Sequence, residues 1–367
     1  MPEYRQTELD LSNEDSLRLN ILLCQDVYAI RINESQLILY ALISGDTETV
    51  KDTDRVKQDR EVSVKLTPNC NADKYLKTVK AFLASYYLDS PAGFPIFMNR
   101  WTRTGQLKNE KVGEFLKIGE PEAVIAVTYG EKISIDHAKY AWWANPSVES
   151  ARQLLTHDNV AKSELATDLA DFLLEFLPFE TEAKNIVLTV KLLLQRGLMD
   201  EANKQSLWKK GQRKSAYLIG FLSCDPKHIP EKQEPHPLNR MTDNQSIQKL
   251  LGVDGHTFNL TCLKALDGFS DQDSIVLLYE AMSHYYSGYA PGLKSIENDS
   301  DETFSDQASS DQTMRPVISA LLALSKIDQN ELIPVLAHSN AVGSLLRRKL
   351  AAVIEPVKNH LYILTHY

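Results

Sequence analysis

Residues 62–86 read VSVKLTPNCNADKYLKTVKAFLASY, and the period of the apolar residues changes inside this stretch. Val62, Val64 and Leu66 alternate with Ser63 and Lys65, the period of two expected of a half-buried strand. Pro68 and Asn69 end that pattern. Tyr75, Val79, Phe82 and Tyr86 then recur at helical spacing and predict a helix with those four on one face.

Upstream, residues 27–32 and 37–43 are apolar and rich in β-branched residues, and the polar run Asn33-Glu34-Ser35-Gln36 separates them. That order predicts a hairpin, although the Asn-Gly pair that most favours a tight one is missing. Residues 12–24 predict a helix capped by Ser12, with Asp15 near its positive end and Leu17, Ile21 and Cys24 on one face. The charged run 46–60 predicts an exposed loop. Downstream of about Gly105 the strand signal nearly vanishes and short amphipathic segments closed by Pro or Gly follow one another.

The fold class expected is therefore mainly α: a small N-terminal α/β module followed by an irregular helical array, HEAT-like or bundled. No repeat of fixed period selects the regular solenoid. The domain plan is an α/β module at 1–105 and a helical array at 106–225. A linker rich in proline (Pro226, Pro230, Pro235, Pro237) follows at 226–243, then a helical segment at 244–296. An acidic disordered linker at 297–312 leads to C-terminal helices at 313–367, broken by Pro356.

With 367 residues, a net charge of −9 and 24% charged residues, the chain suits a soluble protein with a sizeable core and does not suit a general nucleic-acid binder. No run of about 18 apolar residues predicts a membrane span. Residues 1–10 lack the basic start and apolar stretch of a secretory signal, so the expected location is the cytoplasm. Cys24, Cys70, Cys224 and Cys262 are widely separated and form no zinc pattern, which predicts buried or inert thiols. No cofactor is implied, and no catalytic motif stands out.

Three groups could carry function. Arg100, Trp101 and Arg103 place guanidinium groups beside an indole, an arrangement that can hold an anion or stack on a base. Lys209, Lys210, Arg213 and Lys214 surround Gly211 beside Trp208, fit either for an acidic partner or phosphate or for a helix C-terminus. Glu164, Asp168, Asp171 and Glu175 share a helix face, but without a histidine at ligand spacing they read as solvated acid. The adjacent Trp142 and Trp143 suit helix packing, and each of the scattered histidines is uninformative alone.

Several blocks stand in order along the chain: DSLRLN (15–20), SPAGFPIFMNRWTRTGQ (90–106), GEPEAV (119–124), AWWA (141–144), FLLEFLPFE (172–180), VKLLLQRGL (190–198) and LWKKGQRKSAYLIGFL (207–222). Together they resemble the DsrS family, cytoplasmic proteins of sulfur-metabolising bacteria associated with the dissimilatory sulfite reductase system. The resemblance runs through roughly the first 225 residues. It implies an accessory or regulatory role in sulfur metabolism and brings no active site with it.

Three readings stay open on the residues. The first is a non-catalytic accessory or regulatory protein acting through protein partners, with Arg100, Trp101, Arg103, Trp208, Lys209, Lys210, Arg213 and Lys214 as its surface. The second is a sulfur-trafficking protein carrying persulfide on Cys224, the thiol nearest the basic cluster in sequence. The third is an RNA-binding regulator that stacks bases on the arginine and aromatic groups.

Overall fold

A computed structural model describes residues 11–45, 59–88, 112–291 and 310–366. The chain is mainly helical, with a small three-stranded antiparallel sheet near its N-terminus, as the change of period predicts. It divides into two compact units, Met1–Leu173 and Leu174–Tyr367.

In the first unit, α1 (Asn13–Leu23) leads into strands β1 (Val27–Asn33), β2 (Ile38–Ile43) and β3 (Arg60–Lys65), ordered β1-β2-β3. The hairpin turns without glycine. The Asn33 side-chain oxygen accepts from the Gln36 amide at 3.1 Å and the Ser35 hydroxyl at 2.8 Å, and Leu37 takes the left-handed region at φ 55°. The second strand therefore starts at Ile38, one residue later than expected. Helix α2 (Ala72–Leu88) follows.

Two expected helix faces are corrected. In α1 the stripe of Leu17, Ile21 and Cys24 faces outward, with Leu17 64% exposed, while Asp15, Leu19, Leu22 and Leu23 are buried. In α2 the core face is Tyr75, Leu76, Val79, Leu83 and Ala84, and Tyr86 is exposed. The α1 shift has a cause in a buried acid. The buried Asp15 carboxylate accepts from the Thr67 amide at 2.7 Å, the Thr67 hydroxyl at 2.9 Å and the Tyr75 phenol at 2.6 Å. This polar lock ties α1 to the end of β3 and to α2 and turns Asp15 inward, and an acid is not counted in an apolar stripe.

After a single helical turn at Val112–Phe115 come α3 (Pro121–Thr128), α4 (Ile135–Ala144), α5 (Val148–Thr156) and α6 (Leu165–Phe176). Pro121 occupies the first turn of α3, where its missing N–H costs nothing. The Ile30 amide donates to the Leu116 carbonyl at 2.8 Å, tying β1 to the turn before α3. Helix α4 packs back on β1. Tyr140 stacks on Tyr28 with centroids 4.9 Å apart, and the Arg31 guanidinium lies between the Tyr40 and Trp143 rings. Glu61 closes the group by accepting from Arg31 at 3.1 Å and the Trp143 indole at 2.9 Å. These contacts join the sheet to the helices that follow it within the first unit. The acidic row Glu164, Asp168, Asp171 and Glu175 is exposed, as expected.

The second unit holds α7 (Ala183–Gln195), α8 (Glu201–Gly211), α9 (Ser215–Leu222), α10 (Gln245–Leu251), α11 (Val253–Gly268), α12 (Gln272–Ser287), α13 (Ser310–Leu324) and α14 (Gly343–Ile363). Every residue of α9 is buried. It lies among α7, α8, α11 and α12, so the unit is built around a central helix and the helical segments 244–296 and 313–367 join it. A Cβ at Gly220 would stand 2.6 Å from the Val190 Cβ, so only glycine permits this approach of α9 to α7. Pro356 does not break the last helix. It and Ala352, whose carbonyl it cannot bond, are both exposed, while Ile354, Val357 and Leu361 hold the inner face. The expected acidic linker lies outside the described residues, apart from the first turn of α13.

Candidate functional site

Within the second unit, α7, the end of α9, α12 and Asp328 enclose an open cleft of about 890 Å³. Its chemistry comes from Lys191 on α7, Cys224 and Asp225 just past α9, Glu280 and His284 on α12, and Asp328. Local structure fixes several of these. The Cys224 amide donates to the Phe221 carbonyl as α9 ends. Asp225 accepts from the Lys227 amide at 3.0 Å and so caps the turn Pro226–His228. Asp328 caps the turn Gln329–Leu332 by accepting from the Asn330 amide at 2.9 Å, which with the Asn330 side chain holds its carboxyl below the usual range.

Cys224 is the one sequence-selected residue inside the cleft. Its thiol donates to the Lys191 carbonyl at 3.5 Å. Burial pushes the thiol up to about 12, with Asp225 adding to the rise and Lys191 opposing it. The thiol is therefore protonated near neutrality, the reverse of what sulfur transfer asks of a nucleophile. The Lys209–Lys214 cluster does not help it, because the cluster precedes α9 and Cys224 follows it. Eight helical residues separate them by about 12 Å along the axis.

The rest of the proposed surface is dispersed. Arg100, Trp101 and Arg103 lie outside the described residues. Trp208 is corrected from surface to core: it is 2% exposed and meets Phe221 edge to face at 5.5 Å. Lys214 is tied inward, its ammonium donating to the Glu180 carbonyl at 3.1 Å. Lys209 and Arg213 are exposed, Lys210 is half-buried, and none of the three makes an ion pair among the described residues. Lys209 and Lys210 also sit in the last turn of α8, where the helix dipole favours cations. The cysteines divide as well: Cys262 is buried, Cys224 is half-buried, and Cys24 and Cys70 are exposed.

The chain matches no family model, no curated protein and no solved structure. The site therefore rests on its own geometry. Among the described residues no group of three or more His, Cys, Asp and Glu is placed to hold a metal ion, and no helix is long and apolar enough to cross a membrane. The cleft brings together carboxylates, an ammonium, an imidazole and apolar side chains, with its thiol turned to a backbone carbonyl. That arrangement can hold a segment of another chain. Sequence reasoning missed it because its residues come from four separate stretches, none with a motif. The one available signal was Cys224 at the boundary between a mostly apolar helix and a Pro-rich run.

Proposed function

We propose that the protein is a non-catalytic accessory or regulatory component of dissimilatory sulfur metabolism that acts by binding a partner protein, and that the cleft of the second unit receives a segment of that partner. The open cleft is the observation that carries this reading. Its walls set Asp225, Glu280 and Asp328 against the single Lys191, which favours a segment with net positive charge. The resemblance of the first 225 residues to the DsrS family supplies the metabolic context and the cytoplasmic setting. The raised Cys224 thiol favours binding over persulfide carriage.

Complementation tests the reading. In a sulfur-oxidising bacterium lacking the chain, the parent should restore the rate of sulfur oxidation. A Ser283→Trp, Ser287→Trp variant that fills the cleft should fold and fail to restore it, and Cys224→Ala should restore it. Full rescue by the filled variant, or failure of Cys224→Ala, would overturn the reading.

A further inference from the structure

The Pro-rich run after α9, expected to be a linker, is a strap fastened along its length. Lys232 pairs with Asp254 at 2.7 Å and donates to the Pro226 carbonyl at 2.6 Å. The Gln233 amide donates to the Thr257 hydroxyl at 2.9 Å, and His256 Nδ1 donates to the Glu234 carbonyl. The His236 amide donates to the Leu251 carbonyl at 2.9 Å, and Ile229 and Leu238 are buried.

One group in this strap cannot change its charge without breaking a bond. The His236 ring is buried, 1% exposed, at the head of the turn Pro237–Met241. Its Nδ1 accepts from the Leu238 amide at 3.2 Å. A backbone N–H only donates, so Nδ1 carries no proton and the ring is neutral, with its proton on Nε2. His256 lies edge to face at 5.8 Å. Because His256 uses Nδ1 as a donor, it keeps its own bond in either charge state. Protonated His236 would set N–H against N–H, bury a cation and stand it beside the second imidazole.

We propose that His236 is a proton-operated latch: a proton taken up at Nδ1 breaks the bond from Leu238, frees residues 226–242 from α10 and α11, and so moves the wall of the cleft that Asp225 and Pro226 form. The charged and titratable side chains on the strap and the elements packed against it are Lys227, His228, Glu231, Lys232, Glu234 and Arg240 on the strap, Lys249 on α10, Asp254, His256, Cys262, Lys264 and Asp267 on α11, and Tyr217 on α9. Burial, and after it His256, holds the His236 ring below the ordinary imidazole value of 6.5. The closed state is thus the one that binds fewer protons. Its stability is complete above 6.5 and is lost as the pH falls toward the lowered value, by up to tenfold in the opening equilibrium per pH unit. The consequence at the cleft rests on the binding reading above, and the latch itself does not.

Hydrogen exchange of the full chain between pH 7.5 and 5.0, corrected for intrinsic rates, reads the strap directly. Protection of the Gln233, His236 and Leu238 amides should fall by up to tenfold per unit below 6.5, while the amides of α9 hold. His236→Asn places an oxygen acceptor where Nδ1 was and does not titrate, so its strap should stay protected at pH 5.5. Protection in the parent that ignores pH, or a His236→Asn strap that opens over the parent's range, overturns the latch. If the variant does not fold, the His236 ring resonances of the parent decide. A midpoint below 6.5 that coincides with strap exchange supports the latch, and one at 6.5 or above sinks it. Partner binding measured separately at the two extremes scores the cleft reading.

Discussion

Replacing Tyr75 by Phe removes one donor from a buried carboxylate and leaves the ring in place. Asp15 is fully buried and accepts three hydrogen bonds, the shortest of them, 2.6 Å, from Tyr75. A bond to a charged group contributes about 1.5–3 kcal/mol. The Ser12 hydroxyl, 3.1 Å from the phenol, keeps Thr67 at 3.4 Å, while the Ser12 amide, which donates to the phenol at 3.3 Å, loses its acceptor, so a loss of about 2–3 kcal/mol at neutral pH is expected. The pH dependence follows from the same bonds. Burial raises the Asp15 pKa, but the bonds from Tyr75, Thr67 and Ser12 outweigh it and the net shift is downward from 3.8. A lowered folded value means the carboxylate stabilises the fold above 3.8, and that contribution is lost as the pH falls through the folded value. Removing Tyr75's proton donor raises the folded value, so acid unfolding should begin at a higher pH in the variant. The difference from the parent should narrow below pH 3.8. Urea unfolding at a series of pH values, read by hydrogen exchange of peptides from β1 and β2, isolates the first unit. An unchanged midpoint at pH 7, or a gap that stays constant into acid, would refute the lock.

Gly220→Ala should destabilise the second unit by about 1–3 kcal/mol, because the new methyl meets Val190 at 2.6 Å. Val190→Ala in the same chain should recover part of that loss, and additive single effects in urea unfolding would count against the close packing. Cys224 should alkylate far more slowly than the exposed Cys24 and Cys70 at pH 8, where only about one thiol in ten thousand is ionised at a pKa near 12. Peptide mapping after brief iodoacetamide treatment checks the order, and preferential labelling of Cys224 would revive the carrier reading. Reversing Lys210 and Arg213 to Glu should leave folding intact, since neither makes an ion pair among the described residues. Salt-sensitive loss of partner recovery would make this cluster a second contact surface, and unchanged recovery would leave it as solvated charge.

The element types were legible because period and breakers are local. Val62–Val64–Leu66 and Tyr75–Val79 gave strand and helix correctly, and Ile186, Val190, Leu193 and Leu194 are all buried as their spacing predicts. What failed was long-range. The face of α1 turns on Asp15, 52 residues from Thr67 and 60 from Tyr75, and no apolar count includes an acid. Trp143 and Glu61, 82 residues apart, join α4 to the sheet through a contact that no local pattern encodes. Four prolines read as a tether, yet proline suits an extended strap whose few free amides find partners on a helix. The cleft was visible only through Cys224, and the basic cluster misled because nearness in sequence to that thiol becomes opposite ends of α9.

The central claim is that the cleft receives the partner. A photo-crosslinking residue at Ser283 tests it most directly, with the same residue at the exposed Asp171 as control, in cells oxidising sulfur. The account predicts a discrete protein adduct from position 283, weakened when Glu280 is changed to Lys, and none from position 171. Equal adducts from both positions, or adducts at 283 that ignore Glu280→Lys, would contradict it.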